Sequence, residues 1–253
     1  MTDRFVVLGA SNVSRGLARL AAIVRSRSAG PADLFVAAGH GRGYVVTSRV
    51  GLRRLPSILG SGLWRALDRE QVATPSAVVM DVGNELLYGL GVTAVAAAVR
   101  TAVGRLRDRG ARIAILGLPL ASIARVGPFR YRLMRTVYVP GCPLTLGAIQ
   151  EGATWLDEEL HAIAAEAGAT FIEQPGAWYG FDALHVVRPR LDELWQRVGD
   201  AWALPPAAGR SQATFADWTA VGTRAAEVRS IARRTLLTPQ PVLDRRGLRV
   251  WMY

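Results

Sequence analysis

Residues 5–12 have the sequence FVVLGASN, and this segment carries the clearest structural pattern in the chain. Four consecutive apolar residues closed by Gly9 are typical of a buried strand. Beyond them, apolar side chains recur at helical spacing as far as about Arg27, which predicts a helix directly after the strand. A strand followed at once by a helix is the first half of a unit whose helices cover a parallel sheet.

The same arrangement recurs along the chain. Further short apolar runs predict buried strands at residues 34–37, 77–80, 113–116 and 170–172. Longer amphipathic patterns predict helices over about residues 93–109, 146–167 and 190–202. Strands that are apolar throughout lie in parallel sheets covered on both faces. We therefore predict an α/β fold, a flavodoxin-like three-layer α/β/α sandwich with a five-stranded parallel sheet and a ligand crevice outside the carboxyl ends of the strands.

The composition limits the classes of protein to which this chain can belong. It has 253 residues, of which 50% are hydrophobic, and a single cysteine. This apolar fraction excludes intrinsic disorder over most of the chain, and one cysteine excludes a disulfide scaffold. Cys142 lies in a loop with proline and glycine neighbours, so we expect a buried or spare thiol rather than a nucleophile.

The N-terminal residues lead directly into the first strand and lack the features of a secretory signal. The most apolar region, residues 92–103, is interrupted by Arg100 and is too short to span a bilayer. We therefore expect a cytoplasmic protein with no membrane span.

The charge balance is strongly positive, with 31 basic residues against 20 acidic ones and a formal net charge of +11. Every basic residue is arginine, and the complete absence of lysine indicates a coding bias toward GC-rich codons rather than selection for a phosphate-binding surface. No basic stripe interleaved with aromatic residues is present. We therefore expect no nucleic-acid partner.

The C-terminal region differs in composition from the rest of the chain. We predict an α/β domain over residues 1–203 and a basic arm over residues 204–253, with a short helix at about 217–236. The chain ends in Trp-Met-Tyr, and large side chains of this kind are rarely left exposed on a monomer. We expect the arm to dock on the main domain. The alternative is an arm that binds a partner or forms a homo-oligomer.

Residues that could take part in catalysis follow four of the five predicted strands. Ser11 follows the first strand, Gly39 the second and Asn84 the third, and Asp182 and His185 follow the fifth. Each has an ordinary structural explanation when taken alone, such as a helix cap, a loop glycine, a turn or a surface pair. Together they would lie at one edge of the sheet, because the carboxyl ends of parallel strands meet there.

These residue types also fit one another chemically. A serine at a helix N-terminus lies beside backbone N–H groups that favour a developing anion, and an asparagine amide can donate to the same anion. Asp182 precedes His185 by three residues, close enough for its carboxylate to accept from one ring nitrogen while the other faces a nucleophile.

In this order the residues resemble the SGNH hydrolase family, also called GDSL esterases and lipases, over about residues 4–202. The resemblance implies that Ser11 is the nucleophile, Asp182 the orienting acid and His185 the base. It further implies an oxyanion hole formed by Ser11, Asn84 and a glycine, which is Gly39 unless Gly41 takes that place.

Two departures mark a divergent branch of the family. The usual Gly-Asp-Ser is Gly-Ala-Ser at residues 9–11, and the usual Gly-x-Asn-Asp is Gly-Asn-Glu at residues 83–85. Neither departure removes a catalytic group, but both make inference of the substrate from commoner members unsafe.

The activity implied by the resemblance is that of a serine esterase or deacylase that needs no metal or organic cofactor. Its substrate would be an ester of a small molecule, a lipid or an acylated glycan. The alternatives are an acyltransferase that uses the same residues, and a catalytically silent binding protein. Residues 124–135 contain four arginines and would either bind an anionic ester above the crevice or form a solvated basic helix.

Overall fold

The computed structural model describes residues 2–69, 74–206, 213–222 and 226–253. The strands are β1 (Asp3–Leu8), β2 (Ala32–Ala37), β3 (Ser48–Val50), β4 (Arg53–Leu55), β5 (Ser76–Val79), β6 (Arg112–Leu116), β7 (Thr170–Ile172), β8 (Val228–Ile231), β9 (Arg234–Leu237), β10 (Leu243–Arg245) and β11 (Leu248–Met252). The α-helices are α1 (Ser11–Arg27), α2 (Leu63–Arg69), α3 (Asn84–Leu87), α4 (Val92–Arg107), α5 (Leu120–Ile123), α6 (Pro128–Tyr138), α7 (Leu146–Ala167), α8 (Leu191–Ala201) and α9 (Phe215–Gly222).

The central sheet confirms the predicted α/β/α fold but is wider than predicted. Its strand order is β10-β11-β2-β1-β5-β6-β7, and the five predicted strands form its parallel centre. The prediction of five strands was wrong because β11 pairs in parallel with β2 and β10 pairs antiparallel with β11. Both extra strands come from the C-terminal region, whose short basic segments lack the apolar runs that identify central strands.

Two hydrophobic cores lie on opposite faces of this sheet. Along β1 the side chains of Phe5 and Val7 belong to one core, and those of Val6 and Leu8 belong to the other. Alternate residues of a strand point to opposite faces, so an uninterrupted apolar run fills both cores. Helices α1 and α8 cover the first face, while α4 and α7 cover the second.

The helices that pack on the sheet follow the predicted patterns closely. Helix α7 has the predicted bounds, Leu146–Ala167, and α4 and α8 begin and end within two residues of the predictions. Within the described ranges, no helix is both long enough and apolar enough to cross a membrane. Cys142 is a buried free cysteine, as expected.

The helix predicted at residues 217–236 was wrong over most of its length. Helix α9 ends at Gly222, and β8 and β9 follow as an antiparallel pair. Ala232 and Arg233 between them both have positive φ, the geometry of the tight turns that join paired strands. This hairpin pairs with β4, so that β3, β4, β8 and β9 form a second, four-stranded sheet. Pairing with distant β4 outweighs the local helical pattern.

Candidate active site

Three of the predicted site residues line one open cavity at the carboxyl ends of the parallel strands. Ser11 follows β1, Asn84 follows β5, and His185 lies in the loop after β7, and the side chains of all three border this cavity. Residues separated by up to 174 positions are therefore brought to one edge of the sheet. We call this space the serine cavity.

His185 is paired with Asp182 on the same loop. The ring Nδ1 lies 2.8 Å from Asp182 Oδ2, while Asp182 Oδ1 accepts from the backbone N–H groups of Leu184 and His185 at 3.1 and 2.9 Å. Partial burial alone would raise the pKa of Asp182, but the hydrogen bonds from His185 and Leu184 outweigh it and lower that pKa to about 2. The carboxylate therefore stays ionised and holds one ring nitrogen, which leaves the other available.

Ser11 is the first residue of α1 and is nearly buried. The N–H groups on either side of it, of Ala10 and Asn12, donate to Asp81 Oδ2 at 2.7 and 3.1 Å. Among the described residues the N–H and hydroxyl of Ser11 itself have no hydrogen-bond partner. Its hydroxyl thus shares the cavity with His185 without a hydrogen bond between the two, and its N–H remains free to donate.

Asp81 and Asn12 are site residues to which the sequence analysis assigned no role. The Asn12 amide donates to Asp81 Oδ1 at 2.8 Å and to Leu184 O at 3.1 Å, and its oxygen accepts from the N–H of Val186 at 2.9 Å. Leu184 and Val186 flank His185, so one side chain ties the serine turn to the histidine loop. The only sequence signals were an aspartate directly after a strand and an asparagine directly after the serine.

The two candidate glycines lie on different sides of the β2–β3 connection. Gly41 borders the serine cavity together with Asn84, whereas Gly39 borders a neighbouring cavity. Gly41 has φ of +66°, a conformation that favours glycine. The Asn84 amide donates to Arg42 O at 3.3 Å, which uses one of its two N–H groups and leaves the second available.

The arginine-rich segment after β6 forms the loop that precedes α6 and most of α6 itself. Arg130 donates to the carbonyls of Gly180 and Phe181, and Arg125 donates to Gly176 O at 3.0 Å. These two side chains therefore brace the loop that carries Asp182. Arg132 is exposed and does not border the serine cavity, so the geometry favours the solvated alternative for this residue.

An apolar extension leads away from Ser11. A cavity with an empty volume of about 660 Å³, counting space open to solvent, contains both Ser11 and Asn84. It shares five lining residues with a second, apolar cavity of about 470 Å³ beneath α6. The shared residues are Leu87, Ile123, Ile149, Ala183 and Leu184. We call the combined space the apolar extension.

No group of three or more histidine, cysteine, aspartate or glutamate side chains within the described ranges is arranged to hold a metal ion. His40 and His185 both line the serine cavity, and His185 is paired with Asp182 as described above. The arrangement can supply a base, a hydroxyl and donors for a negative charge.

No protein-family description and no curated protein matches the sequence. A solved structure with 14% identity superposes with a TM-score of 0.55 over 80% of this chain and 97% of its own. The psychrotrophic esterase EstA from Pseudoalteromonas sp., in a form inhibited by monoethylphosphonate, has 14% identity and a TM-score of 0.49 over 79% of this chain and 98% of its own. TesA has 15% identity and a TM-score of 0.48 over 79% of this chain and 97% of its own. At these identities the likeness concerns the fold.

Proposed function

We propose that this protein is a serine esterase of the SGNH type, with Ser11, His185 and Asp182 as its catalytic residues. The observation that carries the proposal is that His185, held by Asp182 at 2.8 Å, borders the same cavity as Ser11 and Asn84. A serine, a carboxylate-bound histidine and free donors around one space are the parts that acyl transfer requires.

In this mechanism His185 takes the proton of the Ser11 hydroxyl as its oxygen attacks the ester carbonyl. Asp182 holds the imidazole in the required tautomer and stabilises the imidazolium that forms. His185 then returns the proton to the departing alcohol, which leaves an acyl group on Ser11. Water attacks this acyl group in a second step, with His185 again as the base, and the free acid is released.

In this proposal three donors receive the negative charge on the carbonyl oxygen. They are the free N–H of Ser11, the second amide N–H of Asn84 and the N–H of a glycine, for which Gly41 is supported by its place in the cavity. Asp81 accepts hydrogen bonds from the N–H groups on either side of Ser11, so the turn leaves the N–H of Ser11 as its free donor. Losing one such donor typically raises the barrier by about 3 kcal/mol.

The acyl part of the ester would occupy the apolar extension. It begins at Ser11, and its part beneath α6 is lined mainly by aliphatic and aromatic side chains. An apolar acyl group gains free energy from leaving water there, at roughly 0.8 kcal/mol for each buried methylene. The alcohol part would face the wider, more polar serine cavity. We therefore propose esters with an apolar acyl group as substrates.

The first test is reaction with a fluorophosphonate followed by intact-mass measurement. The parent protein should gain one adduct, which Ser11→Ala should abolish and His185→Ala should slow strongly. Ser14→Ala is the matched control, since Ser14 lies one turn further along α1 and its hydroxyl donates to Ala10 O. It should be labelled like the parent.

An unlabelled but folded parent would contradict the proposal and favour a silent binding protein with this fold. Labelling that survives in Ser11→Ala would place the reactive group elsewhere. Where labelling succeeds, addition of alcohol acceptors to an ester assay separates hydrolysis from acyl transfer.

A further inference from the structure

A second polar cavity adjoins the serine cavity at His40. It has an empty volume of about 570 Å³, counting space open to solvent, and is bordered by β4, β8 and the first turns of α1. Its polar lining consists of Ser14, His40, Arg53 and Arg229. His40 also borders the serine cavity, so the two spaces meet at this residue. We call the second space the arginine cavity.

The pairing of β4 with β8 places its two arginines side by side. Arg53 lies opposite Ile231, and Arg229 is two residues from Ile231 along β8. Residues two apart on a strand point to the same face, and diagonal neighbours on paired strands lie about 7–8 Å apart. Both guanidinium groups therefore project from one face of the small sheet into the same space.

No carboxylate lines this cavity among the residues that the structure describes. In the part of the chain that the structure describes, the arginines that form ion pairs with carboxylates do not include Arg53 or Arg229. The Nε of Arg229 is buried without a hydrogen-bond partner, and Arg53 reaches only His40 O at 3.5 Å. Both side chains are half-buried, and like charges partly removed from water are costly unless something neutralises them.

The titration of the neighbouring groups agrees with this unbalanced charge. Burial and the nearby Arg229 lower the pKa of Arg53. Partial burial of the ring and then Arg53 lower the pKa of His40 below its ordinary value of 6.5. A neutral His40 keeps one ring N–H as a donor at neutral pH.

We propose that the arginine cavity is a binding site for a phosphate group, held by Arg53, Arg229 and His40. The planar fork of a guanidinium matches two oxygens of a phosphate, and two such forks facing one space supply donors and charge together. A bound phosphate satisfies the buried Nε of Arg229 and cancels the repulsion between the two arginines. This binding does not depend on ester hydrolysis.

The test is isothermal titration of the full chain with inorganic phosphate at constant ionic strength. We expect one saturable site in the parent and in Ser11→Ala, weakened by about tenfold or more in Arg53→Gln and in Arg229→Gln. Arg54→Gln is the matched control, because Arg54 is the next residue of β4, is exposed and carries the same charge. It should bind phosphate like the parent.

A second measurement needs no variant. Phenylglyoxal modification, mapped by peptide mass, should be slowed by phosphate at Arg53 and Arg229 but not at Arg54. Equal protection of all three arginines, or equal weakening of binding in all three variants, would mean that phosphate is attracted only by the general positive charge. Either result overturns the proposed site, as does the absence of saturable binding in the parent.

Discussion

The two cavities that meet at His40 differ in how their charged groups are balanced. In the serine cavity, Asp182 holds His185 and Asp81 holds the turn around Ser11. In the arginine cavity, Arg53 and Arg229 have no carboxylate partner among the described residues. Paired charges fix side-chain positions before any ligand arrives, which suits catalysis. Unpaired charges of one sign can instead be neutralised by a bound ligand of opposite charge.

The largest effect is expected where the pairing is tightest. Asp182→Asn should slow fluorophosphonate labelling by about 10⁴-fold, because the amide no longer holds the imidazole in the tautomer that accepts a proton from serine. The measurement is the pseudo-first-order rate of adduct formation. Asp192→Asn is the control, since Asp192 is an exposed carboxylate that pairs with Arg19. An unchanged rate in Asp182→Asn would remove the pair from the mechanism.

A smaller loss is expected when the tie between the two catalytic segments is cut. Asn12→Leu should slow labelling by about 100-fold, because a displacement of about 1 Å at a reacting group has a cost of this order. Two hydrogen bonds of the Asn12 side chain join the serine turn to Leu184 and Val186, the neighbours of His185, and a third holds Asp81. Rate and melting temperature are measured together. A lower melting temperature with an unchanged rate would show that Asn12 acts on stability alone.

The apolar extension offers a third test in its part beneath α6, where aliphatic and aromatic residues predominate. Val139→Trp should lower activity on a decanoyl ester at least about tenfold relative to the acetyl ester, because the indole fills part of the space beneath α6. Leu133→Trp is the control, as Leu133 is exposed on α6, which ends one residue before Val139, and does not border that space. The chain-length profile of nitrophenyl esters measures the effect. Parallel profiles for both variants and the parent would contradict an acyl group in this position.

The smallest effect concerns His40 itself. His40→Gln should change the labelling rate less than about fivefold, because no carboxylate of the described ranges is hydrogen-bonded to this ring. Burial of the ring is the main cause of its lowered pKa; Arg53, His185 and Arg15 lower that pKa further, and Asp81 raises it.

The same variant has a signed pH dependence. A lowered pKa in the folded state means that the unfolded chain binds more protons, so stability is lost as pH falls through 6.5. His40→Gln should lose less stability than the parent across that range, as measured by denaturant unfolding on either side of it. Phosphate should reduce the difference, since a bound anion opposes the effect of Arg53.

The sheet shows how far local patterns reach. The run Val6–Leu8 predicts a strand buried on both faces because each of its residues is apolar, and the structure places them alternately in the two cores. Strand β11, which lies second from one edge of the sheet, alternates instead, with Arg249 between two buried residues. Such alternation is compatible with many strand positions in a sheet. The position of β11 is determined by its pairing with β2.

The hairpin of β8 and β9 shows where a local pattern misleads. Residues 228–237 combine arginines and aliphatic residues in a way that also fits an amphipathic helix. Pairing of Arg54 with Ser230 adds hydrogen bonds from a strand more than 170 positions away. A local sequence pattern contains no information about these long-range hydrogen bonds. The same pairing of β4 with β8 forms the arginine cavity.

The residue types that make catalysis conceivable were evident in the chain itself. Ser11, Asn84, Asp182 and His185 each follow an apolar strand, and parallel strands bring their carboxyl ends together. Their spatial relations were not evident, because hydrogen bonds such as those from Asn12 to Asp81 and Leu184 join segments 69 and 172 positions apart. The chain therefore specifies the chemistry through local composition. Long-range packing specifies which groups are paired with a countercharge and which are left for a ligand.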